Sequence, residues 1–288
     1  MPRSVHLLII DPQNDFCDLP AGHLPVDPIT GRPRQPALPV AGAHADMRRL
    51  AAFIDAGAGA LDAITVTLDS HHRLDIAHPV FWRRGDGAEV PPFTPITAAQ
   101  VRAGEYQPRH LDDLPRTLSY LDELESRGRY TLMVWPLHCE IGTWGHNVHA
   151  DVHAAYSRWE DQRQLIVRKV PKGTNPWTEH YSALMAEVPD PDDPRSQLNR
   201  PLLDALDRAD LILVAGEAGS HCVKATVEHL AEHLPGGRLS RVVLLTDCMS
   251  PVAGFEDAQN AFIQRMRDLG MQARTSADMA RALAASDS

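Results

Sequence analysis

The sequence has only four cysteines, Cys17, Cys139, Cys222 and Cys248, far apart and without Cys-x-x-Cys spacing. That scarcity argues against a zinc ribbon and a disulfide framework, and reduced thiols in the cytoplasm are the expectation. A basic block is also missing: 28 Lys and Arg stand against 38 Asp and Glu, a formal charge of −10. Such an acidic background speaks for no nucleic acid and no membrane surface as partner, and for a small molecule instead. No stretch reaches the roughly 18 consecutive apolar residues of a membrane span. The chain enters an apolar run directly after Met1-Pro2-Arg3-Ser4, so neither secretion nor anchoring is expected. Internal repeats and low-complexity tracts are absent too. What the chain does have is 43% hydrophobic content over 288 residues, ample for a substantial core.

Apolar runs alternate with helical periods along the whole length. Runs at 5–10, 63–68, 130–134, 164–169, 211–215 and 241–246 read as six strands. Helices are expected around Met47 to Ile54, Leu114 to Leu124, up to Trp159, Leu198 to Leu206, Val223 to Leu234, and Phe255 to Leu269. This alternation predicts one α/β domain over residues 1–288 built on a parallel sheet. Residues 20–39 contain six prolines and read as a wandering surface loop. Residues 81–114 have no clear period and read as a long surface excursion near the site, of the kind that forms a lid. The apolar stripe on the last helices suits core packing and a homo-oligomer equally well.

The chemistry centres on the stretch Val214-Ala215-Gly216-Glu217-Ala218-Gly219-Ser220-His221-Cys222-Val223-Lys224. A buried strand ends in small residues and delivers Cys222 to a helix start, where the dipole and free backbone amides favour an anion. That environment suits a nucleophile, although residue type alone also fits a small buried hydrophobe. Asp11 follows the first strand, at the edge where open α/β sheets bind ligands, and also fits a turn cap. Asp69 and His71 follow the second strand and share a face, with His72 pointing away. His138 follows the third, so Asp69, His71 and His138 can converge on one ion, with His78 offered as a fourth ligand. Spacing alone leaves this open, because a chain with 15 histidines places some near strand ends by chance. Lys172 lies just beyond the fourth strand; a lone lysine is usually solvated, but a buried ammonium between Asp11 and Cys222 would stabilise a thiolate.

The ordered set Asp11, Asp69-x-His71, Trp135-Pro-x-His138, Lys172-Gly and Gly216-x-Ala-x-x-x-Cys222-Val resembles the isochorismatase-like cysteine hydrolases, within them the nicotinamidases. The resemblance implies a three-layer α/β/α fold with a six-stranded parallel sheet. It implies a triad of Asp11 as base, Lys172 as orienting cation and Cys222 as nucleophile. A cis peptide is implied at Glu217-Ala218, with the amides of Ala218 and Cys222 as oxyanion donors. One divalent ion, zinc, iron or manganese, would be held by Asp69, His71 and His138, with His78 a ligand in some members. Phe16 and Trp135 match aromatics that sandwich a planar ring, and Tyr181 is placed with them as substrate-binding. The implied activity is hydrolysis of a small, ring-bearing amide to the acid and ammonia through a thioester. The chain departs from the pattern in extra residues near 26–38, 83–113 and 140–165, and in Glu217 and Gly219-Ser220-His221, where the family has an apolar residue and a Thr-Asp-aromatic turn. Three other readings stay open: a relative acting on a different C–N or C–O bond with a vestigial metal site, a non-catalytic ligand-binding relative, and a redox-sensing thiol with Cys139 nearby in space.

Overall fold

The computed structural model describes residues 4–286; Met1 to Arg3, ahead of the first strand, lie outside them. In chain order the main elements are β1 (Val5–Ile10), α1 (Ala43–Gly57), β2 (Ala63–Asp69), β3 (Trp82–Arg84), β4 (Thr94–Ile96), α2 (Ala98–Arg102), β5 (Tyr106–Pro108), α3 (Leu114–Arg127), β6 (Leu132–Val134), α4 (Ala150–Arg163), β7 (Arg168–Lys172), α5 (Arg200–Asp207), β8 (Leu211–Gly216), α6 (Cys222–His233), β9 (Val242–Leu245), α7 (Glu256–Asp268), β10 (Gln272–Arg274) and α8 (Ser276–Ser286). Strands β1 and β8 are buried at every position, as interior strands of a parallel sheet covered on both faces must be.

Six parallel strands form the central sheet in the order β10-β9-β8-β1-β2-β7. The chain runs from β1 outward through β2 to β7, then returns to the other side of β1 and runs outward through β8, β9 and β10. The order therefore reverses between β1 and β8, and ligands of open α/β sheets bind beyond the strand ends at such a point. One face is covered by α1, α4 and α8, whose Met47, Leu50, Ile54, Tyr156, Trp159 and Leu283 pack into a common core with the sheet. The other is covered by α5, α6 and α7, through residues such as Leu203, Val227, Leu230, Phe262 and Met266. The α7 stripe is thus largely core, although Leu269 at its end stays 49% exposed.

Three expectations need correction. The run at 130–134 is not a strand of the parallel sheet: only Leu132–Val134 is extended, and it pairs antiparallel with β4. The excursion supplies its partner, Thr94–Ile96. The sixth strand is instead β10, whose Gln272-Ala273-Arg274 is half exposed at the sheet edge and shows no apolar run. The strand expected at 164–169 lies at Arg168–Lys172, with Ile166 left 88% exposed. The register moves because Lys172 is drawn into the interior, paired beside Asp69. Finally, the excursion after Phe81 is not a bare loop. It folds into β3, β4, α2 and β5 around a core of Phe81, Trp82, Val90, Ile96 and Val101 that packs on Tyr120, Leu121 and Leu124 of α3. Its apolar residues are single and irregularly spaced, so no period announces them; the Thr97/Gln100 capping box that starts α2 was the readable signal.

Candidate active site

Asp11, Asp69, Lys172 and Gly216 stand at or just past the C-terminal ends of four adjacent strands, β1, β2, β7 and β8, and the register sets Ile10 beside Gly216 and Asp69 beside Lys172. Gly216 is required there: its φ is +120°, and a Cβ would fall 2.0 Å from the Ile10 carbonyl oxygen. The chain then turns through a cis peptide at Glu217-Ala218 and enters α6 at Cys222. Among the described residues, the amides of Glu217, Gly219, His221 and Val223 all find backbone acceptors, while those of Ala218 and Cys222 take up none. The amides of Ser220 and Lys224 take up none either, so a set of free donors surrounds the thiol at a helix N-terminus, those of Ala218 and Cys222 among them.

Lys172 is the hub, 2% exposed. Its Nζ lies 2.9 Å from Asp11 Oδ2, 2.8 Å from Asp69 Oδ1 and 3.5 Å from Cys222 Sγ, and it donates to the His180 carbonyl at 3.0 Å. Burial alone would discharge the ammonium, but Asp11 and Asp69 hold it charged beyond the ordinary lysine range. Burial pushes Asp11 above the usual carboxylate value despite Lys172, which favours a group that exchanges a proton. The Cys222 thiol is also pushed up, by burial and by Asp11 and Asp69 against the pull of Lys172. Two carboxylates thus offset the pull of the one ammonium on the thiol, in keeping with a base that takes its proton. Thr67, two residues before Asp69 on the same strand face, accepts from the Asp11 amide at 3.0 Å and donates to Asp11 Oδ1.

A nitrogen-rich cluster adjoins the hub. Asp69 Oδ2 lies 3.1 Å from His71 Nε2 and 3.2 Å from His138 Nε2, and ring nitrogens of His71, His78 and His138 lie within 4.8 Å of one another. His138 arrives although its strand is outside the main sheet. The Trp135 amide donates to Ala77 O, the His71 amide to Cys139 O and the Ile141 amide to His71 O, stitching segment 135–141 to segment 71–77. Asp75 accepts from His71 Nδ1 at 2.9 Å and the Pro136 carbonyl from His138 Nδ1 at 2.8 Å, so both Nε2 atoms face Asp69. Burial opposes a charge on His71, but Asp69 and Asp75 raise it well above the ordinary range; burial likewise works against Asp69, yet His71 and Lys172 hold it well below. Burial lowers His78 to about 2, and its Nδ1 has no partner among the described residues. One carboxylate and two to three imidazoles, braced from behind and fully buried, fit a divalent ion of the zinc, iron or manganese kind. Gly173, at φ +80°, lets the chain pass close: a Cβ there would meet Asp69 Oδ1 at 3.1 Å.

Phe16, Trp135 and Tyr181 line one narrow cleft together with Leu38, Asp69, His138, Glu179, Ala218, His221, Cys222 and Val252. About 20 Å³ of it is open, room for a single water. Trp135 Nε1 donates to Tyr181 Oη at 3.0 Å, and the His221 ring is surrounded by Trp135, Tyr181 and Phe255. The structure thus brings together every residue singled out in the sequence, with Glu217 turned away from the cleft towards α1, where its neighbours are Ser250 and Asp46. His72 is exposed, as expected of a side chain facing away. His146 meets Ser70 and His149 meets His44, so neither joins the cleft-lining set.

Sequence reasoning missed Thr67, Gln13, Asp75 and Glu179. Gln13 clamps both backbone groups of Asp69, at 2.7 and 2.8 Å. Thr67 and Asp75 sat at readable offsets, i−2 from Asp69 and i+4 from His71. Glu179, pushed by burial to about 7 with Oε2 unpartnered among the described residues, reaches the cleft through an irregular segment and left no pattern.

A parallel sheet reversing at β1 and β8 beneath a cysteine turn is the fold of the isochorismatase-like hydrolases and nicotinamidases. The chain is similar to a nicotinamidase/pyrazinamidase of Acinetobacter baumanii, at a TM-score of 0.60 and 19% identity over 97% of this chain and 99% of that one. It is similar as well to the pyrazinamidase of Pyrococcus horikoshii in complex with zinc, at 0.51 and 16% over 94% and 99%. An isochorismatase-like hydrolase of Alkaliphilus metalliredigens matches at 0.53 and 13% over 97% and 98%. No family model and no curated protein sequence matches the chain.

Proposed function

We propose that this chain is a cysteine amidohydrolase of the nicotinamidase kind, cleaving a small planar amide to the acid and ammonia. The observation that carries the reading is the Asp11–Lys172–Cys222 contact set, at 2.9 and 3.5 Å, whose cysteine lines an aromatic cleft beside the uncommitted amides of Ala218 and Cys222. The zinc-bound pyrazinamidase and the nicotinamidase of the same fold support it.

Asp11 takes the thiol proton of Cys222, with Lys172 holding its carboxylate in place. The sulfur attacks the amide carbonyl, and the developing oxyanion is taken up by the amides of Ala218 and Cys222. Asp11 returns the proton to the leaving nitrogen, ammonia departs, and Asp11 then draws a proton from the water that opens the thioester. Asp69, His71 and His138, with His78, would hold a divalent ion, which when bound supplies a Lewis acid for a ring nitrogen or a water. Phe16 and Trp135 flank the substrate ring and Tyr181 sits beside them. With about 20 Å³ open, a ring enters only as a lining side chain moves, and His221 stands over the nucleophile turn. Four unpaired cysteines fit a cytoplasmic protein, and among the described residues no helix is long and apolar enough to cross a membrane.

The test is ammonia release from nicotinamide by the purified protein, with metal content measured on the same sample and Cys222→Ala as control. Turnover lost in the variant, with about one ion per chain in both forms, supports the reading. Residual wild-type rates in Cys222→Ala would refute it.

A further inference from the structure

Glu217 is a departure that the cleft chemistry does not use. It is wholly buried, and its side chain lies on the α1 side of the nucleophile turn. The Ser250 amide donates to its Oε2 at 3.1 Å, while Oε1 meets no donor among the described residues. The Asp46 carboxyl, 2% exposed, adjoins it, the two meeting at Ser250. Asp46 is already engaged: its Oδ2 accepts from Ser250 Oγ at 2.5 Å and its Oδ1 from Arg49. The groups facing Glu217 and Asp46 are Arg49 from α1, Cys17 and Asp18 from the segment after β1, and Cys248 and Ser250 from the turn after β9. Asp18 is satisfied by the amides of Gly42 and His44 at 2.8 Å each, and among the described residues Arg49 is the cation that pairs with Asp46. Of the two, Glu217 has an oxygen that no donor reaches among the described residues, the position from which a retained proton would be given.

The same turn is tied to residues 250–252 at two further points. The Gly219 amide donates to Ser250 O at 2.8 Å, and the Val252 amide to Ser220 Oγ at 3.0 Å. Ser250 thus couples α1, through Asp46, to the loop that carries Ala218 and Cys222. We infer that Glu217 is a positioning residue: as a neutral acid it donates to Asp46, accepts from Ser250, and so fixes the turn that presents the two oxyanion amides and the nucleophile. Burial and the Asp46 charge both raise its carboxyl well above the ordinary range, in keeping with this role. An apolar side chain fills the same space but leaves the Ser250 amide and the Asp46 carboxylate without their partner.

The kinetic arm of this inference rests on the amidase reading; the protonation arm does not. The test compares wild type, Glu217→Gln and Glu217→Leu, each shown folded by its melting transition. Glutamine keeps one donor and one acceptor without a titratable proton, and leucine keeps only the volume. Expected are a loss of about tenfold or more in kcat with KM within about twofold for Glu217→Leu, of the size that 1.4 kcal/mol represents, and rescue of most of that loss by Glu217→Gln. Iodoacetamide labelling of Cys222, which needs no substrate, should change severalfold in Glu217→Leu and stay near wild type in Glu217→Gln. A carboxyl whose folded pKa is raised stabilises less as pH climbs from its unfolded value of about 4.3, so the wild type should lose melting temperature relative to Glu217→Gln between about pH 5 and 8. An infrared carbonyl band of a protonated acid should vanish in Glu217→Gln. A melting gap that stays constant with pH, an absent band, or Glu217→Gln as defective as Glu217→Leu in labelling would overturn the inference. Should no amide be turned over while band, melting gap and labelling behave as expected, the amidase reading falls and the positioning role stands.

Discussion

Lys172→Met removes the charge at the hub while keeping most of its volume, and its cost follows from the contacts. The ammonium lies 2.9 Å from one buried carboxylate and 2.8 Å from another. Deleting one partner of a buried ion pair costs about 3–5 kcal/mol, because the charge left behind has neither water nor counter-ion. In a chain of this size each kcal/mol moves the melting temperature by about 2–3 °C, so the variant should melt roughly 6–15 °C below wild type at neutral pH. The pH dependence has a definite sign. Asp69, held low by His71 and Lys172 against its burial, contributes stability above the ordinary carboxylate value of about 3.9 that is lost as pH falls through its folded value. Lys172, raised by Asp11 and Asp69 against its burial, contributes stability below the ordinary value of about 10.4 that is lost as pH rises through its folded value. In the variant the orphaned carboxylates bind protons as pH falls, so its deficit should shrink towards about pH 4–5. Calorimetry with a chelator present, to keep divalent ions from replacing the lost charge, reads both the gap and its trend. A variant melting within about 2 °C of wild type at neutral pH, or a deficit that widens towards acid, would refute the reasoning.

Three further outcomes are expected. Gly216→Ala forces a Cβ to 2.0 Å from a backbone oxygen at φ +120°, so denaturant titration should show a loss of about 3 kcal/mol or more from strain and clash together. Thr67→Val removes two contacts to buried Asp11 and should cost about 1–3 kcal/mol; because the Thr67 hydroxyl lowers the Asp11 carboxyl, the acid limb of the kcat/KM profile should also move to higher pH. Asp75→Asn leaves His71 less firmly oriented, and competition with a chelator should show divalent-ion affinity weakened about 10–100-fold.

The interior strands were legible because a doubly covered strand is mostly apolar: Leu211–Gly216 is so throughout and Val5–Ile10 at all but His6, which pairs with Thr65. Edge elements were not: β10 is held by pairing rather than by burial, and its Gln-Ala-Arg has nothing for a period to detect. The site was legible as residue types at strand ends, since Asp11, Asp69 and His71 had to stand where the sheet opens. Lys172 was read as following its strand, because the pull that buries it comes from Asp11 and Asp69, both remote in sequence. For the same reason the sequence showed what favours an anion at Cys222, the helix start and Lys172, but not the weight of the opposing carboxylates, which tertiary packing brings in. Glu217 and Glu179 show the same limit, each being defined by what surrounds it in space.

The pairing of β1 with β8 has a consequence for how the chain comes to be reactive. Asp11 and Cys222 follow neighbouring strands, yet one comes near the start of the chain and the other well past its middle. Such non-local pairing is slow to form compared with a hairpin. A nascent chain still short of β8 already carries Asp11, Asp69 and Lys172 but no Cys222. A completed chain that has not closed β8 onto β1 carries a cysteine with an ordinary solvent-exposed thiol. If Asp11 and Cys222 act together as proposed, the pair is complete only once β8 has closed onto β1, and labelling of Cys222 would follow that closure.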